Sequence, residues 1–254
     1  MNTLKDRLKS ISPLYNLYLY FFNRNHYLHL KRERDFVKTI VSKDSLVYDI
    51  GANMGNKTQL FRSLGANVIT IEPDSTNYAL LVNRFGNDKN VKVLQYAISD
   101  SIGVTNFYMD EPGSAYNTLS VKWKESLEDS SVNRWKTIRK FDNVVEVKTV
   151  TIDYLIKEYG VPKYIKIDVE GHELPCIKGL SSNIEVISFE ANLPEFKSET
   201  LNIITCLRDI NKNVKFNYQR DDESFELSKH ISYDEFYKLL ESTDIRYMEV
   251  YSFM

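Results

Sequence analysis

The chain has 254 residues, of which 43% are hydrophobic and 27% charged, with a formal net charge of -2. That length holds one large α/β domain, or one domain with a small appendage, and the near-neutral balance supplies no basic surface for a nucleic-acid partner. Two cysteines, Cys176 and Cys206, stand far apart and outside any C-x-x-C; this excludes a cysteine zinc cage, argues against a disulfide scaffold and suits a reducing, cytoplasmic compartment.

The first element in chain order lies in "PLYNLYLYFFNRNHYLHLKRERDF", residues 13–36. Its apolar part, Leu14 to Phe22, is interrupted by Asn16 and is too short to span a bilayer. No small-residue cleavage site follows, so it does not read as a signal peptide. The pattern predicts an amphipathic helix within an N-terminal helical extension, residues 1–45, packed on the domain. Its tyrosines and phenylalanines also suit a peripheral membrane or partner contact through residues 13–30. His26 and His29 read as surface residues.

From Leu46 to the C-terminus, residues 46–254, strand and helix patterns alternate. "LVYDI", "NVITIEP", "VKVLQYAIS", "YIKIDVE" and "EVISFEA" read as buried strands, with helical stretches such as "GNKTQLFRSLG" and "STNYALLVNRFG" between several of them. Such alternation predicts a parallel sheet with helices on both faces. The ending "NVKFNYQ", "SYDEFYKLLEST", "IRYMEVYSFM" reads strand, helix, strand. Between Ser101 and Lys148 the rhythm breaks: a hairpin-like "GVTNFYM", a polar insertion at about 111–142 and a strand "VVEVKTV". The insertion carries Trp123 and Trp135. They either stack on an acceptor such as a sugar ring, with the segment closing as a lid, or anchor the insertion on the sheet edge. Tyr116 and Asn117, at the expected mouth, are further acceptor contacts.

Ligands of open α/β sheets bind beyond the carboxyl ends of the strands, where "GANMGNKT" sits. This stretch is one residue from the phosphate loop G-x-x-x-x-G-K-[ST], but Asn56 stands where that loop needs its second glycine. Asp49 also ends the strand where its carboxylate would lie near bound phosphates. Asp168, at the end of "YIKID", is the one corroborating feature for an NTPase. Gly51 and Gly55, with Asn53 between them, do not form the dinucleotide fingerprint either. A nucleoside without phosphates fits better. Glu72 ends the second strand about 20 residues beyond Gly51, where an acid accepts hydrogen bonds from ribose hydroxyls. Asp49 would attract a cationic ligand. S-adenosylmethionine, with a ribose, a sulfonium and an ammonium, meets both conditions.

"VYDIGANMGN", "IEPD", "ISD", "YIKIDVEGHE" and "EANLP", in that order, resemble the FkbM family of S-adenosylmethionine-dependent methyltransferases, roughly from Leu46 to Pro194. The resemblance implies a class I, Rossmann-like α/β fold: a seven-stranded, mostly parallel sheet whose last strand is antiparallel. It places Asp49, Gly51, Ala52, Asn53 and Gly55 around the methionine end of the cofactor, with Asp168 beside them. It gives the ribose to Glu72 and the adenine to Ala97, Ile98 and Ser99. It also implies O-methylation, often of sugars or secondary metabolites.

A hydroxyl acceptor needs a positioned base. "KIDVEGHE" gathers Asp168, Glu170, His172 and Glu173, and continued extended geometry would put Asp168 and Glu170 on one side. His172 titrates near neutral pH and is the expected general base, with Asp168 orienting it or the acceptor. The alternative is that Asp168 and Glu170 cap the next helix while His172 is solvated. Glu190, in "SFEANLP", is placed to bind acceptor hydroxyls together with Asn192. No metal is expected, although Asp168 and Glu190, with Asn192, offer the oxygen ligands of Mg²⁺. A non-catalytic nucleoside- or partner-binding module on the same fold is the remaining alternative.

Overall fold

A computed structural model describes residues 23–129, 138–221 and 223–254. Five strands, β1 (Leu46–Ile50), β2 (Asn67–Ile71), β3 (Val91–Leu94), β7 (Tyr164–Ile167) and β8 (Val186–Asn192), pair in parallel in the spatial order β3-β2-β1-β7-β8. Beyond β8 lies β11 (Tyr247–Phe253), antiparallel both to β8 and to β9 (Lys215–Gln219). These seven strands, with the last in sequence antiparallel, match the expected sheet. A two-residue strand, β10 (Ile231–Ser232), pairs with β9 and makes the observed sheet eight-stranded.

Both faces of the sheet are covered, which is why its strands read as near-continuous apolar runs. Alternate residues of one strand face opposite layers. Tyr48 and Ile50 join Ile167 and Phe189 in the larger core, closed by α5 (Ile152–Tyr159), α6 (Glu173–Lys178), α7 (Lys197–Ile210) and α8 (Tyr233–Ser242). Val47 points to the other layer with Val68 and Tyr251. There Phe36 and Val37 of α1 (Arg24–Val37) and Phe61 of α2 (Asn56–Ser63) cover the sheet. The helix expected before the domain is thus packed on it from Arg24 onward, while Leu14 to Phe22 lie outside the described residues. His26 is exposed and His29 partly so. Among the described residues no helix is long and apolar enough to cross a membrane.

The run "VKVLQYAIS" is not one strand. β3 stays at the main sheet's edge, and the chain then leaves it so that β4 (Ala97–Ile98) pairs with β6 (Asn143–Val150). "GVTNFYM" is not a hairpin by itself: as β5 (Gly103–Met109) it runs antiparallel to β6, from Gly103↔Thr149 to Met109↔Asn143. These three strands form a second small sheet. The polar insertion is the long connection between β5 and β6, and it contains α4 (Val121–Glu128), capped by Ser120, whose Oγ accepts from the Trp123 amide. Trp135 lies outside the described residues.

Candidate active site

A cleft of about 420 Å³ opens at the carboxyl ends of β1, β2 and β7 and reaches β4. Its floor is the turn after β1. Gly51 has φ +77°, and a Cβ there would come 1.7 Å from the Asp168 carbonyl oxygen. Glycine is therefore required by the close approach of the turn to the end of β7 as well as by the left-handed backbone. Gly55, also left-handed, precedes α2, and a Cβ on it would strike Leu81 and Phe85. It does not line the cleft. What the structure shows of it is close packing against α3 (Ser75–Phe85).

The turn is tied to β2 through Glu72, which is 5% exposed. Asn53, itself left-handed at φ 49°, donates its N–H to Glu72 Oε2 at 2.7 Å, and the Asp74 amide donates to Oε1 at 2.9 Å. Burial pushes the Glu72 carboxyl up to about 7, opposed by these two hydrogen bonds. Asp49 is 1% exposed, and its Oδ2 accepts from Thr58 Oγ1 at 2.5 Å. Burial raises its pKa too. Ala52 and Asn53 line the cleft beside them.

At the β4 end the lining is apolar, with Tyr96, Ala97, Ile98, Phe107 and Leu119. Ser99 is not in that wall; its Oγ lies 3.2 Å from His172 Nε2. His172 does line the cleft, but burial lowers its pKa to about 4. A neutral imidazole with so acidic a conjugate acid is a poor acceptor for a hydroxyl proton at neutral pH. This environment favours the neutral imidazole and weakens His172 as a base.

Carboxylates concentrate at the β7 end instead. The strand stops at Ile167, and extended geometry does not continue: Glu170 has φ 52° and Gly171 φ 85°. This left-handed turn brings side-chain oxygens of Asp168, Glu170 and Glu190 within 4.8 Å of one another. Lys166, 3% exposed, places Nζ 2.7 Å from Asp168 Oδ2. Burial works against its charge, yet Asp168, Glu249 and Glu190 outweigh that and raise its pKa well above the ordinary value. Burial, Asp168 and Glu190 raise Glu170 well above the ordinary carboxyl range, and burial with Asp168 brings Glu190 to about 8. Tyr247 donates its hydroxyl to Glu190 Oε1 at 2.9 Å. The oxygen set resembles a Mg²⁺ site, but the Lys166 ammonium already supplies the balancing positive charge at Asp168, and no metal is assigned. Neither Asp168 nor Glu170 caps α6: the cap position is His172, with no side-chain cap bond.

The expected acceptor residues separate. Asn117 lines the cleft, but its side chain is committed to the loop: Nδ2 donates to Asp74 Oδ2 at 2.9 Å and to the Glu111 carbonyl at 2.8 Å, and Oδ1 accepts from the Asp110 amide. Tyr116, Trp123, Glu190 and Asn192 are not part of the lining. Trp123 is 3% exposed and packs on Phe196 with ring centroids 5.8 Å apart, so it anchors the insertion and is no platform for a sugar. The Arg139 guanidinium covers the Tyr116 ring at 4.2 Å. Asn192 is buried in β8. Residues that the sequence reading missed include Lys57 and Lys166, both in the lining. A lysine inside the apolar "YIKI" and another inside "GANMGNKT" were the signals available.

A family model described as the methyltransferase FkbM domain matches residues 49–218. The hexuronic acid methyltransferase AglP of Haloferax volcanii is 26% identical over 166 residues, covering 63% of this chain and 61% of that protein. The 2-O-methyltransferase NoeI of Sinorhizobium fredii is 25% identical over 154 residues, covering 59% and 63% respectively. The chain therefore spans less than two thirds of the length of these curated relatives. Among solved structures, a TehB-like SAM-dependent methyltransferase from Corynebacterium glutamicum superposes with a TM-score of 0.44 at 8% identity, covering 87% of this chain and 86% of that one. The family match runs from Asp49 at the cleft floor to Tyr218 in β9 and takes in the whole lining of the cleft, and on it the chain belongs to the FkbM methyltransferase family.

Proposed function

We propose that the protein transfers a methyl group from S-adenosylmethionine to a hydroxyl oxygen of a saccharide or glycan precursor. The observation that carries this reading is Glu72, a buried acid fixed by two backbone amides at the end of β2 and lining the cleft. Each of its oxygens retains a lone pair for a ribose hydroxyl. The apolar wall of Tyr96, Ala97, Ile98 and Phe107 suits an adenine, and Asp49 and Asp168 supply the negative field a cationic ligand needs. The phosphate-loop alternative is disfavoured by the same geometry. The Asn53 amide, which a phosphate would need, is spent on Glu72, whose carboxylate would repel it.

When bound, S-adenosylmethionine supplies a sulfonium-activated methyl open to direct displacement by an aligned nucleophile. Glu170 takes the proton of the acceptor hydroxyl. Its ionised form does this: it lines the cleft, and burial, with Asp168 and Glu190 beside it, raises its proton affinity. Asp168, held by Lys166, borders the acceptor side and accepts from further hydroxyls, while Glu190, held by Tyr247, stands behind the lining. AglP is named for a hexuronic acid and NoeI for a 2-O position; a hydroxyl-rich acceptor also suits a cleft that Asp168 and Glu170 line.

Thermal unfolding with S-adenosylhomocysteine, ATP with Mg²⁺, and NAD tests this reading. A ligand at a hundredfold excess over its dissociation constant adds about 2.7 kcal/mol, roughly 5 to 10 °C for a domain this size. The expected result is a shift with S-adenosylhomocysteine alone, abolished in Glu72→Ala. A shift with ATP alone would return the turn to phosphate binding, and an undiminished shift in Glu72→Ala would remove the ribose assignment.

A further inference from the structure

The near-neutral net charge conceals an uneven distribution. Residues 1–43 carry nine of the 33 lysines and arginines but only three of the 35 acids. On α1 this excess is ordered. Arg24, Tyr27, Lys31, Arg34 and Lys38, the last at the C-cap, follow at alternating steps of three and four, so they share one face of the helix. That face lies opposite Glu33, Phe36 and Val37, which are buried. Its four cations are exposed, and none of them makes an ion pair among the described residues. Asp35, the exposed acid of α1, flanks the stripe, as does Leu28 at 36% exposure.

The helix begins at the cleft end of the molecule. Glu33 Oε1 lies 2.7 Å from Nζ of Lys57, which lines the cleft, and Arg32 Nε lies 2.7 Å from Glu223 Oε1, in the loop beyond the carboxyl end of β9. Arg24 precedes Glu33 by nine residues, about 13 Å farther along the axis at the rise of an α-helix. Just before it in sequence, Leu14 to Phe22 hold three leucines, three tyrosines and two phenylalanines, side chains that suit a bilayer interface. We infer that the cationic stripe of α1 docks on an anionic phospholipid surface. Cations beside an apolar, aromatic segment are the pattern that such a surface attracts. A planar surface engages the helix face alone, whereas a nucleic-acid strand crossing that end would meet the acids of the cleft, Asp49, Glu72, Asp168 and Glu170. The inference goes beyond the methyl-transfer reading and does not depend on it, because docking needs neither cofactor nor acceptor.

Co-sedimentation of the full chain with vesicles reads this contact. Vesicles of three parts phosphatidylcholine to one part phosphatidylglycerol should carry the wild type down, and vesicles of phosphatidylcholine alone should carry far less. Raising NaCl from about 0.1 M to about 1 M should release it, because the screening length shrinks from about 10 Å to about 3 Å. The variant Arg24→Gln, Lys31→Gln, Lys38→Gln should bind the mixed vesicles about 10²-fold more weakly. Neutralising three exposed lysines elsewhere, by Lys89→Gln, Lys92→Gln and Lys148→Gln, should leave binding nearly unchanged. The salt arm uses the wild type, so it stands even if a variant misfolds. A wild type that ignores the mixed vesicles, binds neutral ones equally well or resists salt would overturn the inference. So would equal losses in the two variants, or no loss in the first. Tighter binding to a short single-stranded RNA than to the mixed vesicles would give the stripe to nucleic acid instead and overturn it as well.

Discussion

Glu170 and His172 stand two residues apart at the same cleft with opposite proton affinities. Burial acts on both, but it favours the neutral form in each, raising a carboxyl and lowering an imidazole. Asp168 and Glu190 add to the shift on Glu170, whereas His172 faces only the modest opposing pull of Asp100. In the proposed reaction these opposite shifts favour the carboxylate over the imidazole as the proton acceptor. Glu170→Gln should lower kcat by about 10²- to 10⁴-fold, the span of a lost general base, with S-adenosylhomocysteine affinity nearly unchanged. His172→Gln should keep most of the turnover, its amide replacing the contact with Ser99. Both are measured on the acceptor that a saccharide screen identifies, and a reversed pattern would return the base to His172.

At the scale of the element, the insertion between β5 and β6 is fastened by its own small core. Trp123 and Leu127 of α4 pack with Phe141 and Phe196, and Gly171 fits beneath because a Cβ there would approach Trp123 and Phe196 at 3.0 Å. The carboxylate turn and the insertion thus share one packing contact. Trp123→Ala should cost about 3 to 5 kcal/mol, seen as a clear drop in melting temperature. Affinity for S-adenosylhomocysteine should be nearly preserved, since Trp123 is outside the cleft lining. An unchanged melting temperature with a raised acceptor KM would instead mean that the tryptophan stacks on the acceptor.

Across the whole molecule, the acids gathered under the cleft make stability depend on pH. Burial raises Glu72 and Glu173 from 4.5 to about 7 and Glu190 from 4.5 to about 8. The folded state holds these protons more tightly than the unfolded chain, so their contribution is full below pH 4.5 and is lost as pH rises through 7 to 8. His172 acts the other way: lowered from 6.5 to about 4, its contribution is full above 6.5 and is lost as pH falls through 4. Above pH 6.5 the histidine term is flat. The melting temperature of the ligand-free protein should therefore fall between pH 6.5 and about 8, and Glu72→Gln should flatten that slope. A rising melting temperature across this window would mean that these carboxyls are ionised in the folded protein.

The strand-helix alternation, the glycine turn at "DIGAN" and the acid ending β2 were legible in the sequence. Each depends on local chemistry: the covered faces of a parallel sheet, the glycine that a close turn demands, and the spacing of one βαβ unit. The antiparallel last strand came from the family resemblance and is present as β11. Burial and meeting were decided only by the tertiary structure. Trp123 reads as a polar-segment tryptophan, yet it is enclosed because Phe196, far along the chain, completes its pocket. Glu190 and Glu170 meet across β8 and a left-handed turn that extended geometry does not predict. The division of β3 from β4 likewise depended on the distant β6 as pairing partner. The proton affinity of His172 was decided the same way, because it is set by the atoms packed around the ring rather than by its neighbours in the chain.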